Sequence, residues 1–438
     1  MSRPSQTFHP LTVPPVYLAA RAINSVIRVV PAGTAYFIGI VLITMFTGQL
    51  VHHQGSLARA ALPYVVHLRW GWHRVERAME RGKVSLDMLF ERALSWCLEC
   101  VPVEPVCLGR ERRTVHAIDA STVARLRANK KRCALLGKGY CHRAQRAVQA
   151  NLVAALTTVV LIRGVRVGLI RRARFGATCQ EAVAKVFAAL PESREKRLFS
   201  VDAGIATVAQ FRAATEQDAL VGRLRKNVTL RRAPAPKRPG KRGRSAVHGP
   251  VLHPGAKRPE GRPDEDTTLR IEDREVRVRR WRNLHFRETP RTLLEVVRVD
   301  DPAYKRPLLI GTTARELTTD EIRSAYAHRW PIETNFYVAQ GTCAMEMPRA
   351  WSATAVERRI SLALLAGSLL KAIAAACGPL PMGPWDVKAA ASAGRLANHL
   401  ALHATNFVAL ALQGLAPRTY RKMTDPKETT ELQLPLAA

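Results

Sequence analysis

Acidic residues are scarce in this chain: 35 Asp and Glu stand against 68 Lys and Arg over 438 residues, a formal net charge of +33 with a pI near 10.9. Such a balance argues against cationic partners and points to a polyanion, of which nucleic acid is the first to consider. Cysteine is sparse too. The eight thiols have neither the density nor the regular spacing of a disulfide scaffold, which fits a reducing cytosol. Cys97, Cys100 and Cys107 make a CxxC followed by a third thiol, without a well-spaced fourth ligand for structural zinc. A long apolar run is also missing. The most apolar window, "AYFIGIVLITMFTG" from Ala35 to Gly48, falls short of the roughly 20 residues that span a bilayer, so it reads as a buried helix. The first residues, "MSRPSQTFHP", carry neither a secretory apolar run nor a lipidation signal, and no internal repeat is found.

What is present is a globular composition, 47% apolar and 24% charged, in a length that suits two to three domains. Residues 1–108 read as helical. They include the stretch "RWGWHRVERAMERGKVSLDMLFERALSWCL", in which Arg69, Arg74, Arg77 and Arg81 recur at helical intervals, as a phosphate-facing or simply solvated face. From about residue 112 strands take over. "RTVHAID" ends in Asp119, "LVAALTTVVLI" and "VRVGLIRRARF" suggest a hairpin around Arg163-Gly164, and "CQEAVAKVFAAL" has helical period. "KRLFSVD" ends in Asp202, and the helix "TVAQFRAATEQ" and the strand "ALVGRLRKN" follow. The result is an α/β sheet with some antiparallel pairing. Residues 228–312 read as a β-rich basic insertion that rejoins the sheet, and its Pro-, Gly-, Arg- and Lys-rich part, Arg231 to Arg262, as a mobile loop. A buried helix, "AVERRISLALLAGSLLKAIAAAC", and a C-terminal region over 377–438 complete the chain.

The segment "SAYAHRWPIETNFYVAQ", residues 324–340, sets Tyr326, Arg329, Glu333 and Gln340 at intervals of three, four and seven. Helical spacing of polar residues calls for partners elsewhere, and Asp119 in "VHAIDAST" and Asp202 in "LFSVDAGIA" supply them. Each follows an apolar strand, where ligand sites gather in open α/β sheets. Three such carboxylates would make an all-oxygen cluster able to hold two Mg²⁺ ions about 3.5–4 Å apart, suited to chemistry at phosphorus.

The pattern Tyr326-x2-Arg329-x3-Glu333-x6-Gln340, above all "HRWPIETNF", resembles the Y-x2-R-x3-E-x6-K signature of DDE transposases encoded by bacterial insertion sequences of the cut-and-paste, hairpin-forming kind. Asp119 and Asp202 match that family's two aspartates in context and order, and the resemblance covers roughly residues 112–375. It implies a ribonuclease H-like catalytic domain over 109–376 behind a helical DNA-binding domain over 1–108, with Asp119, Asp202 and Glu333 as catalytic ligands of two Mg²⁺ or Mn²⁺ ions. It implies further that Tyr326 and Arg329 contact DNA phosphate near the cut. Gln340 departs from the signature, standing where the family has lysine; an amide can bind phosphate but brings no charge. Trp281, in "REVRVRRWRNLHF", could stack on a flipped base, as an aromatic of the family's insertion does, or pack in the core. Trp330 reads as core packing, and His116 and His328 as structural. The implied activity is cleavage at terminal inverted repeats and strand transfer into target DNA. It would be carried out by a homodimer assembled on double-stranded DNA in the bacterial cytoplasm, at the nucleoid, with no membrane role. The alternatives are an inactivated or domesticated DNA-binding copy and a metal nuclease that does not join strands.

Overall fold

The structure is a computed structural model that describes residues 14–415 apart from 69–70, 127, 129–132, 142–143, 235–243, 245, 257–260, 272, 383–385 and 387–388. Six helices come first: α1 (Pro15–Ile27), α2 (Ala32–Phe46), α3 (Gln49–His52), α4 (Leu57–Val65), α5 (Gly71–Arg81) and α6 (Leu86–Cys100). Strands β1 (Val103–Pro105), β2 (Cys107–Leu108), β3 (Arg113–Ala124), β4 (Leu136–Cys141), β5 (Arg146–Ile162) and β6 (Val165–Gly176) follow. Then come α7 (Cys179–Ala188), β7 (Arg197–Val201), α8 (Val208–Ala213) and β8 (Asp218–Arg223). The insertion contributes β9 (Leu230–Arg232), β10 (Val251–Leu252), β11 (Glu265–Ile271), β12 (Arg274–His285), β13 (Leu294–Asp300) and β14 (Leu308–Thr312). Helices α9 (Thr319–Ala327), α10 (Trp330–Gly341), α11 (Ala353–Cys377), α12 (Ala393–Leu402) and α13 (Ala404–Ala411) close the described chain.

The protein is mixed α/β around one large mixed sheet. Its strand order is β1-β5-β3-β7-β8-β14-β13-β12-β9-β10, with β4 and β6 on β5, β2 on β3 and β11 on β12. The β5–β6 hairpin turns at Arg163 and Gly164, where φ is 51° and 77°, the left-handed pair that a two-residue turn requires between right-twisted strands. Strands β3, β7 and β8 run parallel, and β5 and β14 flank them antiparallel. Along β3 the side chains divide with period two. Val115 and Ala117 face a core shared with α1–α6, α10 and α11, and Ile118 faces a second core under α7 and α8. Both faces of the sheet are covered, which explains the unbroken apolar run of β5.

The N-terminal helices share one continuous buried cluster with α11, α12 and α13, so residue 108 marks no break in packing. The insertion rejoins the sheet as expected: β14 pairs with β8, and the remaining insertion strands extend the same sheet outward. Of the expected loop from Arg231 to Arg262, residues 235–243, 245 and 257–260 lie outside the described residues, as does Arg69. The described flanks of that loop pair as β9 and β10, and Arg232 binds Asp264 at 3.2 Å.

The apolar window near the N-terminus forms α2, buried on all sides. Among the described residues one helix, α11, is long and apolar enough by composition to cross a membrane, and 89% of its most apolar window is buried inside the protein.

Candidate active site

The two aspartates meet through strand register. In the parallel pairing of β3 with β7, Ile118 lies opposite Val201, so Asp119 and Asp202 are the next residues on adjacent strands. Asp202 leaves β7 as expected and opens a turn, its carbonyl accepting the Ile205 and Ala206 N–H groups at 2.9 Å each. Asp119 differs from expectation: it sits inside β3, whose pairing with β5 continues as far as Ala124. It ends a strand only with respect to β7, the neighbour that stops.

Glu333 arrives from the other side of the sequence. A capping box of Thr318 and Glu321 starts α9, which stops at Ala327. The expected single helix breaks because Pro331 has no N–H for the Ala327 carbonyl and its ring crowds that position. Arg329 caps the new helix α10, which puts Glu333 in its first turn, where the helix dipole favours a carboxylate. Helix α10 runs on to Gly341, so Gln340 is helical, and its Nε2 donates to Ser121 Oγ at 3.3 Å. Ser121 shares the β3 face of Asp119, two residues on.

The residues of the motif bind the carboxylates. Arg329 Nη1 donates to Asp119 Oδ2 at 3.0 Å, and Nη2 pairs with Glu333. Tyr326 Oη donates to Asp202 Oδ1 at 3.2 Å, and the guanidinium lies over the Tyr326 ring, 5.7 Å from its centre. All five residues expected to form the centre, Asp119, Asp202, Tyr326, Arg329 and Glu333, therefore come together from three distant segments. Beside the guanidinium opens a cleft of about 510 Å³, lined by Arg166, Tyr326, Arg329, Trp330 and Thr334 among others. A larger cavity, about 800 Å³, lies near the start of β3 around Thr114 and His116 and is lined by none of these carboxylates.

Burial pushes Asp119 from its ordinary 3.8 up to about 6; the Ala120 N–H and Arg329 oppose the shift, and the nearby charges of Asp202 and Glu333 add to it. Burial likewise raises the Tyr326 hydroxyl. Arg329 loses solvation on burial, yet Asp119, Tyr326 and Glu333 hold it above its ordinary value. The sign for Asp119 follows from its raised folded value: the stability it lends is present below 3.8 and lost as pH rises through about 6. Asp119→Asn, equal in size and uncharged, should therefore melt at or above the wild-type temperature near neutral pH in EDTA and lose that advantage at acidic pH. Destabilisation at neutral pH that disappears at acidic pH would mean that the Arg329 pair outweighs the burial of the charge.

Asp119, Asp202 and Glu333 offer only carboxylate oxygens, hard donors suited to Mg²⁺ or Mn²⁺ and poorly suited to softer metals. Among the described residues no three His, Cys, Asp or Glu side chains stand ready around one point, and Arg329 occupies the space between Asp119 and Glu333. The donor chemistry fits the ion, with the guanidinium presently meeting the negative charge.

Two aromatic expectations are corrected. Trp281 is fully buried, 0% exposed, its Nε1 3.4 Å from the Gly261 carbonyl, so it is a core residue and offers no face for a base. Trp330, expected in the core, is 63% exposed at the rim of the cleft because α10 turns its first residue outward. The arginines near Trp281 are engaged too: Arg277 with Asp266 and Arg279 with Asp300, each at 2.6 Å, Arg280 with Glu295 and Arg282 with Glu265. His116 and His328 are buried, and burial lowers them to about 3 and about 4, as fits structural residues.

Two residues near the site were not singled out from the sequence. Lys371 Nζ donates to the Pro331 carbonyl at 3.1 Å and binds Thr334 Oγ1, fastening the first turn of α10; burial brings it down to about 7. A single lysine late in the apolar run of α11 was its signal. Arg223 ends β8 one register step beyond the Val201–Gly222 pair, level with Asp202, and is exposed. Nothing in "ALVGRLRKN" distinguishes it from its basic neighbours.

No protein-family model matches the chain, and no curated protein matches it.

Proposed function

We propose that this protein is a DDE transposase, which binds the terminal inverted repeats of a bacterial insertion sequence, hydrolyses the phosphodiester at each end and joins the freed 3′-hydroxyl to target DNA. The observation that carries this reading is the meeting of Asp119 and Asp202 with Tyr326, Arg329 and Glu333 of the one motif, in the order along the chain that the resemblance requires. The ribonuclease H-like reading of the core is supported by the run β6-β5-β3-β7-β8, in which two antiparallel strands precede β3 and two parallel ones follow it.

In this reading Asp119, Asp202 and Glu333 hold two Mg²⁺ or Mn²⁺ ions, which supply the charge neutralisation that attack on a phosphodiester needs. Arg329 and Tyr326 grip the phosphate beside the cut, and the cleft next to them receives the strand. The exposed Arg77 and Arg81 of α5 and the overall charge of +33 favour binding along duplex DNA, with a homodimer handling the two ends together. Cytoplasmic, nucleoid-associated action follows from the same reading.

The test is incubation of the full chain with DNA carrying the inverted repeats that flank its gene, with Mg²⁺ or EDTA. Metal-dependent cut ends and strand-transfer products support the proposal. Cutting without joining would identify a nuclease, and binding without cutting an inactive copy.

Gln340 carries a further expectation. Lysine would offer a charge-assisted contact where glutamine offers a neutral one, a difference on the order of 1 kcal/mol or about fivefold in rate. Gln340→Lys should raise single-turnover end cleavage by about that factor, and Gln340→Ala should lower it, also releasing Ser121. No change in either variant would mean that the amide serves only the α10–β3 contact.

A further inference from the structure

Among the described residues, each of the three carboxylates is bound by a side chain of the segment that also carries Glu333, beside the Ala120 N–H that donates to Asp119 Oδ1 at 2.8 Å. Arg329 bridges Asp119 and Glu333 while Tyr326 holds Asp202, so each carboxylate has one donor from the motif. The Arg329 side chain is only 12% exposed, and its Nε is buried without a hydrogen-bond partner. In this state neither donor is free for phosphate, the role that the resemblance gives to both.

We propose that Tyr326 and Arg329 form an exchangeable internal lock: they hold Asp119, Asp202 and Glu333 together while the carboxylates are bare, and pass to a DNA phosphate at the adjacent cleft when a divalent cation binds those carboxylates. This rests on the metal-site reading given above. The exchange follows from charge. A guanidinium and a dication cannot share the same pair of carboxylates without strong like-charge repulsion at a poorly solvated site. A released guanidinium and phenol at the cleft rim need acceptors, and phosphate oxygens match the planar fork of arginine. Helix α10 can stay fixed during the exchange, because Lys371 ties its first turn to α11 and Asn335 Nδ2 donates to the Gly168 carbonyl at 2.7 Å. Linkage then requires metal and DNA to promote each other's binding by the same factor.

The experiment measures Mn²⁺ dissociation by electron paramagnetic resonance on the full chain without DNA, for wild type, Arg329→Gln and Tyr326→Phe, with thermal melting in EDTA and in Mn²⁺. Removing the competing guanidinium should tighten Mn²⁺ by about tenfold, within the ordinary range of coupling between sites. Arg329→Gln should also melt below wild type in EDTA and gain more from Mn²⁺. Tyr326→Phe keeps the ring beneath the guanidinium, should tighten Mn²⁺ by a smaller factor, and decides the matter alone if Arg329→Gln does not melt cooperatively. A second arm compares duplex affinity in Ca²⁺ and in EDTA at equal ionic strength. Wild type should bind about fivefold or more tighter in Ca²⁺, and Arg329→Gln should show no such gain. Mn²⁺ affinity that is unchanged or weaker in the variants overturns the lock and leaves the proposed function standing. A wild-type chain that binds no Mn²⁺ overturns the metal-site reading itself.

Discussion

Asp119→Asn, Asp202→Asn and Glu333→Gln should each cut metal-dependent cleavage of end DNA on the order of a thousandfold or more. Each change removes one ionised oxygen donor and keeps the size of the side chain, so the strand register and the start of α10 should survive. Affinity for duplex DNA should fall little, because phosphate contacts from the basic surface supply most of it and depend on salt rather than on the carboxylates. The same variants separate two roles for the cluster. Asp119 is 20% and Glu333 32% exposed at the side chain, and both are held by Arg329. If the cluster were only a structural ion-pair network, the substitutions would lower the melting temperature and leave cleavage per folded molecule unchanged. Near wild-type cutting by any one of the three would remove that residue from the centre.

The polar constellation was more legible in the sequence than the packing around it. Spacing within "SAYAHRWPIETNFYVAQ" placed Tyr326, Arg329 and Glu333 on one side of the chain, and they meet even though the helix breaks at His328-Arg329, because both halves pack on the one sheet, α9 over β7, β8 and β14 and α10 over β3, β5 and β6. Strand-ending position identified Asp202 well and Asp119 only in part. An isolated strand cannot reveal that one neighbour stops while the other continues. The β5–β6 hairpin was readable from Arg163-Gly164 because the turn is local. The shared core of α1–α6 with α11–α13 was not, since it joins residues more than 250 positions apart.

Trp281 shows most plainly why local pattern runs out, and it yields the other large effect. In β12 the odd positions Arg277 and Arg279 face outward and pair with carboxylates, so period-two alternation sends Trp281 to solvent as well. That face changes environment along the strand. At Trp281 it passes beneath the second core, beside Leu284, Phe286, Leu294 and Val296, and the register with β13 shifts immediately afterwards. Truncating a fully buried tryptophan removes its packing and leaves a cavity, so Trp281→Ala should cost about 3–5 kcal/mol of folding stability. Trp281→Phe should cost clearly less, because most of the ring volume remains. Urea unfolding of the full chain measures both, and DNA affinity per folded molecule should be unaltered in the phenylalanine variant. The opposite pattern, an unchanged melting curve with weakened binding to DNA that carries an unpaired base, would require the indole to leave the core when DNA binds. That exit would break its bond to the Gly261 carbonyl and open a void in the second core. Its cost would be similar to that of the alanine variant, so DNA binding would have to supply several kcal/mol for each flipped base. Stacking of a base on an aromatic side chain returns only about 1–3 kcal/mol, which is why the packed role is the one expected here.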